Sequence, residues 1–82
     1  MNTFEHLIDE LLREPGGEVV DRSRAVDRLL DLRLAAGSPA LEASVDAALR
    51  TLPGRTMVAL ADWHDVLHTL QAAAALEADT VG

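Results

Sequence analysis

Four stretches of this chain set apolar side chains three and four residues apart, and Pro or Gly stands between each stretch and the next. That spacing winds one apolar stripe along an α-helix, whereas a half-buried strand alternates every second residue. Phe4, Leu7, Ile8, Leu11 and Leu12 make the first stripe. Asn2 or Thr3 can cap it, and Glu5 sits in the first turn, where the helix dipole favours an anion. Pro15-Gly16-Gly17 stops it, since Pro removes a donor and Gly tolerates left-handed dihedrals.

The second stripe spreads Val26, Leu29, Leu30, Leu32 and Leu34 over a wide arc, with Asp27, Arg28 and Asp31 opposite and Gly37 as the C-terminal cap. Ser38-Pro39 then starts a third helix, because the Ser oxygen accepts an orphan N–H and Pro fits the first helical position. Leu41, Val45, Ala48, Leu49 and Leu52 are its buried face, and Pro53-Gly54 ends it. From a Thr56 cap, Leu60, Trp63, Leu67, Leu70 and Ala74 run close to a heptad seam in the longest helix. The predicted helices are 3–13, 20–36, 39–51 and 57–78. No strand is expected, because the one β-branched pair, Val19-Val20, lies between acidic residues at a helix entrance, and no internal repeat is read. Short connections make neighbouring helices antiparallel. The expected fold is therefore all-α, one domain over residues 1–82, either a small four-helix bundle or an orthogonal helical domain, alone or as a dimer.

Composition decides what fills such a core. With one Phe and one Trp in 82 residues, it must be aliphatic, and the 49% apolar share sets the chain apart from disordered tails. The absence of cysteine excludes a disulfide scaffold, a thiolate nucleophile and a Cys-ligated zinc. No apolar run approaches the ~20 residues that a bilayer span needs. No basic region precedes an apolar stretch at the start of the sequence, so a cytoplasmic location is expected.

The formal charge is −7, from 14 acids and 7 Arg. Only residues 21–36 are net positive, with four Arg against three acids. A helix-turn-helix reading of the second and third helices would need a basic reading helix, and the third carries Glu42 and Asp46 against Arg50 alone. Nucleic acid is thus not the expected partner, and a DNA-binding regulator stands as the alternative. Nucleophilic catalysis lacks its ingredients, so no enzyme and no cofactor is expected.

His64 and His68, at i and i+4, share a helix face as in the H-E-x-x-H zinc motif. Asp65 replaces the Glu of that motif and no further His follows, so His6 would have to cross over to complete a site. These three imidazoles are the candidate ligands of a further, metal-binding alternative, and a boundary pair without metal is the expected reading. Arg22 and Arg33 project into the apolar arc of the second helix at 100° per residue. Each either covers apolar surface with its stem or pairs with Asp62, Asp65 or an acid on another chain.

The expected function is an acidic helical interaction or regulatory module that docks on, or inhibits, a larger protein, or self-associates. Apolar stripes beyond what one small core absorbs become interfaces. Trp63, Leu67, Leu70, Ala74 and Arg33 are the predicted interface residues. The acidic row Glu5, Asp9, Glu10, Glu14 and Glu18 would attract a basic surface.

Overall fold

Two of the four stripes fold within the bounds that their punctuation sets. A computed structural model describes residues 3–14 and 17–81, the last four of these by backbone alone. The elements are α1 (Thr3–Arg13), β1 (Val19–Asp21), α2 (Arg22–Ala35), α3 (Pro39–Thr51), β2 (Met57–Ala59) and α4 (Leu60–Val81). Helix α3 opens as Ser38-Pro39 requires: the Leu41 amide donates to Ser38 Oγ at 3.2 Å, and Pro39 takes the first turn. The predicted cap Asn2 and the stop signal Pro15-Gly16 lie outside the described residues, and Thr3 is the first residue of α1 itself.

The absence of strands is the first expectation that the structure corrects. Val19–Asp21 and Met57–Ala59 pair antiparallel, with Val20 opposite Val58. The Arg22 amide donates to the Thr56 carbonyl at 2.9 Å and the Leu60 amide to the Glu18 carbonyl at 2.8 Å, which closes the ladder at both ends. Val58 is buried and Val20 half-buried, so the strands turn one Val each inward and leave Val19 and Met57 outside. This pairing takes the places assigned to the starts of the second and fourth helices. Accordingly α2 begins at Arg22 rather than 20, and α4 at Leu60 rather than 57. Thr56 caps no helix; its carbonyl joins the sheet.

The same register overturns the reading that the chain has no repeat. Arg13 and Thr51 end α1 and α3, Val20 faces Val58, and Arg22 and Leu60 open α2 and α4; each pair stands 38 residues apart. At that offset Leu11 matches Leu49, Leu29 matches Leu67, Leu32 matches Leu70, Ala36 matches Ala74, and Pro15-Gly16 matches Pro53-Gly54. The fold is thus two helix–strand–helix halves related across the Val20–Val58 pair.

Glycine is obligatory at one corner of this arrangement. Gly54 has φ +88°, and a Cβ there would fall 2.0 Å from the Met57 carbonyl oxygen. Gly37, expected as the cap of α2, has no such role. The cap residue is Ala36, in an extended conformation, and its amide donates to the Arg33 carbonyl at 3.2 Å.

One cluster of buried side chains runs through both halves. Phe4 and Ile8 of α1, Ala25, Leu29 and Leu32 of α2, Leu41 and Val45 of α3, Leu52, Val58, and Trp63, Leu67, Leu70 and Ala74 of α4 compose it. Among the described residues no polar or charged side chain is buried. Helix α1 packs on α2 and α4, and α3 on the same two. The stripes of α1, α3 and α4 match their predicted faces, but that of α2 is rotated. Ala25, Leu29 and Leu32 point inward, while Leu30 is 45% and Leu34 86% exposed.

Candidate functional site

The residues that sequence reasoning assigned to an interface divide between core and surface. Trp63, Leu67, Leu70 and Ala74 lie inside the chain's own core, where they face α1 and α3 rather than solvent. A heptad-like seam on a long helix suits a neighbour from the same chain as well as one from another, and here the same chain supplies it. Arg33 stays half-exposed. Its Nε donates to Asp46 Oδ1 at 2.8 Å, tying α2 to α3. That hydrogen bond, together with the charge of Asp46, raises the guanidinium pKa further above its ordinary value. The acid is thus Asp46, not Asp62 or Asp65. Arg22 pairs with no acid among the described residues: its Nε donates to the Gly54 carbonyl at 3.1 Å and braces the turn that leads into β2.

The three imidazoles do not converge. His6 lies on α1 with Nε2 3.1 Å from Glu10 of the next turn. His68 is exposed, its Nδ1 3.4 Å from Gln71 Oε1. His64, beside Trp63 in sequence, borders a cleft that His68 does not line. Among the described residues no group of three or more His, Asp or Glu is gathered as a metal site requires. The turn from α3 into β2, residues 52–56, reads Leu-Pro-Gly-Arg-Thr and lacks the alternating oxygen ligands of a calcium loop.

Two features escaped sequence reasoning. The first is the outer face of α2. Leu30 and Leu34 sit one turn apart on the solvent side, while the inner face of that helix already fills its share of the core. Among the described residues, Val19 and Met57 on the outer face of the sheet, 48% and 44% exposed, and Leu76 on α4 are the other large apolar side chains that are exposed. The second is the cleft, of about 190 Å³, which opens where the end of α1, β1 and the starts of α2 and α4 meet. Leu11, Val20, Leu60 and Trp63 supply its apolar walls, and Arg24, Arg28 and His64 its basic groups. Arg24 Nη2 lies 3.6 Å from Glu14 and Arg28 Nη1 lies 3.8 Å from Asp31. Arg24, Arg28 and Arg33 of α2 are therefore turned toward acids of the same chain rather than arrayed as a stripe for phosphates. A self-comparison at an offset of 38 would have flagged the strands. Nothing local in the sequence marks the cleft, since its walls come from four elements.

No family model, no curated protein and no solved structure matches this chain.

Proposed function

We propose that the chain is an acidic helical interaction module that docks on a larger protein through the outer face of α2. The observation that carries this reading is Leu34, 86% exposed, with Leu30 one turn before it at 45%, on a helix whose opposite face is already buried. Burying a leucine side chain is worth about 1.5–3 kcal/mol. Two of them, adjacent on a rigid helix and rimmed by Asp27 and Asp31, form a compact apolar patch with an acidic border. Such a patch suits a partner that offers an apolar pocket flanked by Lys or Arg, and the net charge of −7 steers the encounter in the same sense. No helix among the described residues is long and apolar enough to cross a membrane.

A second reading, self-association through the far end of α4, is favoured by Leu76, 68% exposed beside Ala72 and Ala75. Affinity capture from the native host separates the two. A Leu30→Glu/Leu34→Glu variant that folds but loses the captured protein supports docking through α2. Undiminished capture by that variant refutes it, and a dimer in light scattering that Leu76→Glu dissociates would move the interface to α4.

A further inference from the structure

The two halves carry equivalent grooves, each between the two helices of its half. Matching the buried residues Phe4 with Leu41, Ile8 with Val45, Leu29 with Leu67 and Leu32 with Leu70 sets Leu7, Glu10, Leu11, Glu14, Arg28 and Asp31 of the α1–α2 groove against Ser44, Ala47, Ala48, Thr51, Val66 and Thr69 of the α3–α4 groove. The backbone layout is shared and the side chains are not. Four charged residues line the first groove, whereas Asp65 alone among the charged residues lines the second, of about 230 Å³. The hydroxyls of the second groove are already spent on their own helices. Ser44 Oγ donates to the Ala40 carbonyl at 3.1 Å, Thr51 Oγ1 to the Ala47 carbonyl at 2.8 Å and Thr69 Oγ1 to the Asp65 carbonyl at 2.9 Å. Covering these walls therefore leaves no hydroxyl donor unpaired. With Ala47 and Ala48 on one side and Val66 on the other, all half-buried, small side chains let a further helix come close.

Charge decides what that helix carries. Asp65 at the rim, and Asp62 one turn before it on α4, are exposed, and neither side chain has a hydrogen bond or ion pair among the described residues. A second copy of the chain would bring the same aspartates and a further charge of −7, so like charges would meet. We propose that the α3–α4 groove receives a helix of a partner protein that carries aliphatic side chains one turn apart with Lys or Arg beside them. The aliphatic ridge lies between Ala47, Ala48 and Val66, and the cation meets Asp62 and Asp65. Leu30, Leu34 and Arg50 lie outside the walls of this groove, so the site is separate from docking through α2.

The full chain is titrated with three acetylated and amidated helical peptides, and binding is followed by amide-resolved NMR. One peptide has a leucine ridge bordered by lysines, the second has glutamates in place of the lysines, and the third scrambles the first so that the ridge is broken. The lysine-bordered peptide binds saturably and shifts amides in 44–51 and 62–70, and the other two are silent. Ser44→Leu/Ala48→Leu, which installs the leucines of the equivalent groove, weakens that binding by about tenfold or more. Asp62→Asn/Asp65→Asn weakens it by about tenfold and flattens its dependence on salt. Leu30→Ser/Leu34→Ser leaves it unchanged, which separates this site from the α2 face. Absence of saturable binding, equal binding of the glutamate peptide, shifts centred on 27–34, or undiminished binding by the asparagine pair overturns the proposal. Both aspartates are exposed, so should the leucine variant fail to fold, the asparagine pair still decides.

Discussion

Replacing Gly54 with Ala tests whether the sheet is a necessary part of this helical fold. At φ +88° an L-residue is strained by about 1–2 kcal/mol relative to Gly. The added Cβ would sit 2.0 Å from the Met57 oxygen and 3.1 Å from its carbonyl carbon, both backbone atoms that no rotamer change can move aside. Relief requires the turn to shift against β2. The Arg22 Nε bond to the Gly54 carbonyl and the Arg22 amide bond to Thr56 are then weakened, at about 0.5–1.5 kcal/mol each. The sum is a loss of roughly 2–5 kcal/mol. At about 4–8 °C per kcal/mol for a domain of this size, the melting temperature falls by at least about 8 °C. Gly37→Ala is the matched control: nothing lies within 4 Å of its Cβ and its φ is not positive, so the chain gains about 0.4–1 kcal/mol through the unfolded state. Urea denaturation followed by circular dichroism at the helical minimum measures both. A Gly54→Ala chain within about 0.5 kcal/mol of the natural one would refute the argument that this turn and sheet hold the halves together.

Other perturbations probe separate links. Leu67→Ala removes a fully buried side chain at the middle of α4 and costs about 2–5 kcal/mol by urea titration, whereas Leu34→Ala stays within about 0.5 kcal/mol. An equal cost at both positions would reverse the assignment of inner and outer faces. Ser38→Ala deprives the Leu41 amide of its acceptor and lowers stability by about 1 kcal/mol, and Ser38→Asp largely restores it. In a double-mutant cycle, Arg33→Gln and Asp46→Asn show a favourable coupling that fades as salt is raised. Coupling of Arg33 to Asp62 or Asp65 instead would contradict the observed α2–α3 tie.

The faces of α1, α3 and α4 were legible because their leucines, Phe4 and Trp63 fall on single stripes and because Ser38-Pro39 and Pro53-Gly54 punctuate the chain. The strands were not. Three residues carry too little periodicity to register, and Val19–Asp21 becomes a strand only because Met57–Ala59, distant in sequence, supplies its hydrogen bonds. Helix α2 misled for another reason. Leucines surround it at positions 29, 30, 32 and 34, so the choice of inward face fell to its neighbours, and small Ala25 rather than Leu30 met the close approach. The α4 seam is accordingly closed by the chain's own helices, and the α2 leucines are left outside. Arg28 read as a residue of the polar face and His64 as one of a boundary pair, and only the meeting of α1, β1, α2 and α4 brings them, with Arg24, to one cleft.

Docking through α2 depends most on Leu34 as a contact point. A photo-crosslinking residue at position 34, expressed in the native host and compared with the same residue at exposed position 50, tests it directly. The expected result is one discrete adduct of the chain with a larger protein from position 34 and none from position 50. No adduct from position 34, or the same adducts from both positions, would contradict it.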